Sequence, residues 1–186
     1  MNDNHINQHL ANCLKNRQTV TSGLCFVKDF LPQELLAELL NYINTTNDWK
    51  PYNVPSQKNR NVIQGSELLG RLYPYFDRIT PQIKYIFRKP KLILEGITLW
   101  QDKYKYYISK HTDNPEIEVA IQIYLSNNSY PLATTFVIEG QDVQPEYQVN
   151  AGYIMDNAAS ITHYLWPPVP QEELRHSLHI IWKLDN

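Results

Sequence analysis

From Lys91 to the C-terminus the chain reads as short strands in which chemistry-capable residues recur every second position. In an extended strand, residues i and i+2 point to the same side. In Arg175–Leu184, Arg175, Ser177 and His179 therefore share one face, and Leu178, Ile180, Trp182 and Leu184 share the other. In Ile117–Leu125, Ile117, Val119, Ile121, Ile123 and Leu125 oppose Glu118, Ala120, Gln122 and Tyr124. Tyr107, Ser109, His111 and Asp113 line up in the same way over Tyr106–Asp113. A barrel that is apolar outside and polar inside must hold a ligand or water, because burying those groups unpaired is costly.

Ahead of the strands the period changes. Gly23–Phe30 reads as a short strand. Pro32 suits a first helical position, and Leu35, Leu36, Leu39, Leu40 and Ile43 form an apolar stripe behind it. Ser66 can cap a second helix carrying Leu68, Leu69, Leu72, Tyr73 and Phe76, and Pro81 opens a third. Further strands are expected at Lys91–Gln101, Ala133–Glu139, Gln148–Asp156 and Ile161–Leu165. Helices followed by strands point to an α+β domain built on a two-sheet sandwich or barrel.

At 186 residues and 42% hydrophobic content, one domain spanning 20–186 is expected, after a polar, loosely ordered segment at 1–19. His5 and His9 there are spaced i,i+4, as a helical metal pair would be, but a frayed terminus is the default. The net charge of -2 gives no reason to expect nucleic acid as a partner. Cys13 and Cys25 do not make a disulfide framework, and no run approaches a membrane span or signal sequence. A cytoplasmic protein without membrane attachment is expected, and composition leaves its oligomeric state open. Trp49–Ser66 lacks periodicity, carries Pro51 and Pro55, and is expected to be a flap offering Trp49, Tyr52, Lys58 and Arg60 to a substrate.

One ordered set of residues specifies the chemistry further. His111-Thr112-Asp113 is followed fifty residues after Asp113 by His163, and twelve residues later by Arg175-His176-Ser177. Two His and one carboxylate can hold Fe(II) by one face, leaving other positions open. A buried Arg suits a carboxylate, which it binds through two parallel hydrogen bonds. Taken singly, His111 and Asp113 also fit a surface pair beside the Asn114-Pro115 turn, His163 a core histidine, and Arg175 an ion pair with Glu172.

At these residues the chain resembles the 2-oxoglutarate- and Fe(II)-dependent dioxygenases, and among them the prolyl-hydroxylase-like branch. The likeness covers roughly residues 20–186. It rests on Val27–Glu34, Tyr107–Asn114, Ile121–Ser126, His163 and Arg175–Leu178. The resemblance implies a double-stranded β-helix, a jelly-roll or cupin-like barrel, with N-terminal helices packed on one sheet. It implies that His111, Asp113 and His163 are the catalytic iron ligands. It further implies that Arg175, Ser177 and Tyr124 bind the distal carboxylate of 2-oxoglutarate. The implied reaction consumes O2 and 2-oxoglutarate, hydroxylates a C–H bond and releases succinate and CO2, with ascorbate as an optional reductant. A peptidyl, prolyl or amino-acid-like substrate is favoured, and other small molecules stay open. Two departures stand out. The His163–Arg175 gap is longer than the family's usual spacing, and Thr134-Thr135-Phe136 lacks a glycine often found there. A cupin-like metal enzyme without 2-oxoglutarate and a non-catalytic module on the same fold are the alternatives. Nucleic-acid demethylases of the alkylation-repair type carry a second arginine six residues after the first, where this chain has Ile181. Related halogenases have a small residue where this chain has Asp113.

Overall fold

A computed structural model describes residues 3–54, 57–113, 117–128 and 131–185. The chain runs α1 (Asp3–Lys15), β1 (Gln18–Thr21), β2 (Leu24–Val27), α2 (Gln33–Thr45), β3 (Lys50–Pro51), β4 (Arg60–Gln64), α3 (Glu67–Arg78) and α4 (Thr80–Phe87). It continues with β5 (Leu92–Asp102), β6 (Ile108–His111), β7 (Val119–Tyr124), β8 (Thr135–Ile138), β9 (Gln141–Val143), β10 (Gly152–Asp156), β11 (His163–Leu165) and β12 (Arg175–Leu184). Eight strands form a major sheet in the order β1-β2-β10-β7-β12-β5-β4-β3. Four form a minor sheet in the order β6-β11-β8-β9. Every pairing is antiparallel.

The alternation read from the sequence sets the layers. Val119, Ile121, Ile123, Leu178, Ile180 and Trp182 enter one large core with the apolar stripes of all four helices. The helices therefore cover the outer face of the major sheet. Trp182 donates from its indole N–H to the Thr80 hydroxyl at 2.9 Å, tying β12 to the start of α4. Ser66 caps α3 as its position suggests, accepting from the Leu69 amide. Between the sheets lie two smaller apolar clusters. One joins Leu24, Phe136, Tyr153, Met155 and Ile161; the other joins Tyr106, Leu132, Leu165 and Val169.

Gly152 marks a close approach of β10 to β7. A Cβ built on it would lie 1.8 Å from the Gln122 carbonyl oxygen, so only glycine lets β10 lie this close to β7. Two residues earlier, the Asn150 side chain accepts from the Leu31 amide and donates to the Leu31 carbonyl, fixing the entry to α2.

Two expectations are corrected. The N-terminal segment is not loosely ordered: it forms α1, and Ile6, Leu10 and Leu14 are at most 1% exposed. A single stripe at i, i+4 and i+8 suffices to dock an otherwise polar helix. Its His9 bonds the Asp29 carbonyl at 2.7 Å rather than forming a metal pair with His5. Trp49–Ser66 is not a free flap either. β3 and β4 extend the edge of the major sheet, with Arg60 paired to Asp102 and Val62 to Trp100. Pro55 and Ser56 lie outside the described residues. Replacing Leu10 by Ala should cost about 2–5 kcal/mol, a fall in Tm of roughly 5–15 °C. Thermal unfolding monitored by circular dichroism checks it, and an unchanged Tm would mean that α1 does not dock.

Candidate functional site

The register of the major sheet lines up side chains in rows across its inner face, because directly paired residues point the same way. One row is Arg60, Asp102 and Arg175. The next is Val62, Trp100, Ser177 and Tyr124. A third is Gln64, Thr98, His179, Gln122 and Tyr153. The minor sheet faces these rows, and a cavity of about 450 Å³ lies against both.

His111 and His163 are directly paired across β6 and β11. Asp113 lies just past the end of β6. Its Oδ1 is 3.5 Å from His111 Nε2 and 3.3 Å from His163 Nε2. All three ligand atoms lie within 4.8 Å of one another, and among the described residues this is the one such cluster of His, Cys, Asp and Glu. Two donors each about 2.1 Å from one ion, at roughly 100–110°, stand about 3.3 Å apart. The ring tautomers suit a metal too. His111 Nδ1 lies 2.9 Å from the Ser109 carbonyl and His163 Nδ1 lies 3.1 Å from the Ile161 carbonyl. Each Nδ1–H is used there, which turns Nε2 toward the shared centre. The three residues thus fit a divalent first-row cation.

The electrostatics agree. Burial alone would raise the Asp113 carboxyl, but hydrogen bonds from His111 and His163 outweigh it and hold Asp113 well below the usual carboxylate range. His111 is raised, chiefly by its hydrogen bond to Asp113. Burial pushes His179 down to about 4 against the pull of Asp113, so it faces the cavity as neutral imidazole.

The face assignment in β6 needs correction. Tyr107 and Ser109 were expected to share the His111 face, yet Ile108 lines the cavity with His111. The β6–β11 register shifts between His163 and Leu165, and such an irregularity re-aims every residue beyond it.

At the other end of the cavity, Arg175 is 1% exposed. Its Nη1 donates to Asp102 Oδ2 at 2.7 Å, its Nε to the Leu132 carbonyl at 2.8 Å, and its Nη2 reaches the Thr134 hydroxyl at 3.4 Å. Glu172 is not its partner among these contacts. Ser177 and Tyr124, expected to touch a ligand carboxylate, are completely buried on the same inner face and are not among the residues that line the cavity. Ser177 accepts from Gln122 Nε2 at 2.9 Å, and the Tyr124 hydroxyl accepts from the Thr134 amide at 2.9 Å. They hold the residues that do line the cavity, Gln122 and Thr134. Tyr153 donates to Gln122 Oε1 at 2.6 Å and lines it as well.

Sequence reasoning missed Asp102, Tyr153 and Trp100, and took Arg60 for a substrate contact on a flap rather than a buried partner of Asp102. Thr98, Trp100 and Asp102 carry an i, i+2 signal at the end of Lys91–Gln101 that marks their shared face. Arg60 carries none, since it lies in the aperiodic stretch. Tyr106, beside this group, has a buried hydroxyl with no hydrogen-bond partner among the described residues.

Metal binding should be proton-coupled, because a metal replaces the Nε2 proton. With His111 raised, protons compete for it at a higher pH than they would for an unperturbed imidazole. Below that raised value, apparent Mn(II) affinity should fall by about tenfold per pH unit for each proton displaced. Titrations between pH 8 and 6 check the slope; a flat profile would remove His111 from the ligand set.

No family model matches the chain, and no curated protein matches it by sequence. Solved structures do. A prolyl-4-hydroxylase from Pseudomonas putida superposes with a TM-score of 0.69 at 15% identity, covering 95% of this chain and 100% of that one. A 2OG-Fe(II) oxygenase family oxidoreductase from Burkholderia pseudomallei gives 0.69 at 13% identity, covering 97% and 91%. HygX from Streptomyces hygroscopicus, solved with nickel, 2-oxoglutarate and hygromycin B bound, gives 0.65 at 11% identity, covering 87% and 83%. The chain therefore has the double-stranded β-helix fold of the 2-oxoglutarate- and Fe(II)-dependent oxygenases, helices packed on its major sheet.

Proposed function

We propose that this protein is an Fe(II)- and 2-oxoglutarate-dependent dioxygenase that hydroxylates a C–H bond of a small-molecule or peptidyl substrate. The observation that carries the proposal is the convergence of His111, Asp113 and His163 on one point, in a cavity whose far end holds the buried cation Arg175. In this reading the three residues hold the metal. Arg175 anchors the distal carboxylate of 2-oxoglutarate, and the cavity between them takes the rest of that molecule. Bound Fe(II) and 2-oxoglutarate would supply O2 activation coupled to 2-oxoacid decarboxylation, giving succinate, CO2 and an oxidised substrate, with ascorbate as an auxiliary reductant.

The protein's own part is placement. Backbone carbonyls fix both imidazole rings, so the ligand set exists before the metal arrives. Gln122, held by Ser177 and Tyr153, gives the cavity wall a fixed polar surface. Phe136 packs 5.7 Å from the His163 ring and keeps water from that side. Tyr52, Val54 and Gln57, on the β3–β4 connection, line the open side and are the residues a substrate would meet. Asp113 fills the carboxylate position, so oxidation rather than halogenation is the outcome. Among solved structures with this fold, one prolyl hydroxylase was captured with a peptide fragment and HygX with hygromycin B, so both peptidyl and small-molecule substrates stay open. No described helix is long and apolar enough to cross a membrane, and the two cysteines are unbridged, which fits a cytoplasmic location.

One observation favours a second reading, a metal enzyme that does not use 2-oxoglutarate: Asp102 already neutralises Arg175. Anaerobic addition of Fe(II) and 2-oxoglutarate separates the two. The dioxygenase should develop a weak visible charge-transfer band and, on admitting O2, form succinate. Arg175→Leu should weaken 2-oxoglutarate binding by about 2–5 kcal/mol while leaving Mn(II) affinity nearly unchanged, and Arg175→Lys should be intermediate. Equal 2-oxoglutarate affinity in wild type and Arg175→Leu would favour the second reading. Asp113→Ala should lose both the metal and succinate formation while keeping its circular dichroism spectrum.

A further inference from the structure

The first row of the major sheet holds two cations and one anion in a dry environment. Arg60, Asp102 and Arg175 are 2%, 0% and 1% exposed. Arg60 grips the carboxylate side-on, Nε to Oδ1 at 2.5 Å and Nη2 to Oδ2 at 3.1 Å. Arg175 reaches the same Oδ2 through Nη1 at 2.7 Å. The three formal charges leave one unit of positive charge uncompensated. Leaving a buried charge unpaired is costly, so such a group calls for a counter-ion. Both guanidinium groups line the cavity that holds the triad.

Arg60 is also fixed more firmly than an ion pair alone would require. Its Cζ lies 3.9 Å from the Trp100 ring centroid and 4.3 Å from that of Tyr106. Its Nη1 donates to Gln57 Oε1 at 2.8 Å. The hydroxyl of Tyr106, without a hydrogen-bond partner among the described residues, belongs to the same group. An unmet positive charge and an unmet hydroxyl thus occur together.

We infer that the distal carboxylate of 2-oxoglutarate is held by the Arg60–Asp102–Arg175 unit as a whole, with Arg60 supplying the charge that Asp102 takes from Arg175. The inference rests on the function proposed above. In this unit Asp102 is a positioning residue that orients both forks. Arg60 is a specificity residue: without it the Asp102–Arg175 pair is neutral and has no net attraction for an anion. With it, the row alternates cation, anion, cation, and the incoming carboxylate completes the sequence. This also accounts for Asp102 beside a co-substrate arginine, the observation that otherwise favours an enzyme without 2-oxoglutarate.

The test is a charge-balanced cycle read by ligand binding rather than turnover. Wild type, R60M and the double variant R60M/D102N are loaded with Mn(II) under argon. Each is titrated with 2-oxoglutarate and with 2-oxobutyrate, which lacks the distal carboxylate. R60M should bind 2-oxoglutarate roughly 30-fold or more weakly, the loss typical of a desolvated charge partner. Its affinities for 2-oxobutyrate and Mn(II) should stay near wild type. The double variant restores one net positive charge and should recover most of the lost affinity. A purely structural Arg60 would instead make the double variant worse than R60M. If R60M does not fold, R60Q, neutral but still able to donate to Asp102, gives the same readout. R60M or R60Q binding 2-oxoglutarate as wild type does overturns the inference and leaves the function standing. Recovery absent from a folded double variant overturns it as well. A wild-type protein that takes up Mn(II) but neither 2-oxoacid removes the function itself, and the inference with it.

Discussion

Strand β12 lies in the middle of the major sheet, paired along ten residues with β5 and along six with β7. Nearly everything chemical in the molecule is placed by that double pairing. Arg175 is opposite Asp102 because β12 and β5 are in register there, and Asp102 is opposite Arg60 because β5 and β4 are. His179 and Gln122 lie side by side for the same reason. The outer faces of these residues' neighbours bury Leu178, Ile180 and Trp182 beneath the helices. A one-residue slip would exchange the two faces, putting Arg175 and His179 into the apolar core. Stability and site geometry are therefore one constraint: the energy that buries the outer face also fixes the inner one.

The cavity is polarised along its length. At one end three residues can hold a cation, with Asp113 kept ionised against the desolvation that opposes it. At the other end two guanidinium groups share one carboxylate. The neutral lining between, with Gln122 and Tyr153 already engaged to each other, carries no net charge. An elongated ligand with a metal-seeking head and an anionic tail satisfies both ends at once. A neutral or cationic ligand of similar size would leave the cationic end unmet. Electrostatic selection of this kind acts through charge more than through shape.

The fold was legible wherever burial imposed a period. β12 matches its sequence bounds, and the alternation separates the core residues Val119, Ile121, Ile123 and Leu125 from Gln122 on the cavity side, whereas Ile117, read on the core face, lines the cavity. The candidate ligands were legible as a spaced set, although β6 ends at His111 and the chain beyond it, not the strand's alternation, brings Asp113 to the two rings. Other parts were hidden for physical reasons. In α1 the buried residues are only every fourth one, so the segment's polar average concealed its apolar edge. In β6 the register shift, invisible in sequence, exchanged Ser109 for Ile108 at the cavity. Arg60 is the clearest case. Its burial depends on Asp102, 42 residues away in sequence, and on two aromatic rings, none of which leaves a mark near position 60. Ser177 and Tyr124 belong to the right neighbourhood, but a sequence cannot say whether a wall residue presents its hydroxyl or spends it on the wall.

Trp100 has neighbours that matter on two sides. Arg60 lies 3.9 Å from its ring centroid, and the His179 ring is stacked on it at 4.1 Å. Indole emission responds to nearby charge and to the mobility of polar groups. Trp100 is therefore a native optical gauge reaching from the cationic end of the cavity toward the metal end. Of the four tryptophans, Trp182 is sealed in the helix-facing core, and Trp166 is 61% exposed and faces Tyr107. Replacing Trp49 and Trp166 leaves Trp182, remote from the cavity in the helix-facing core, as a constant background, and changes in emission on filling the cavity then report on Trp100.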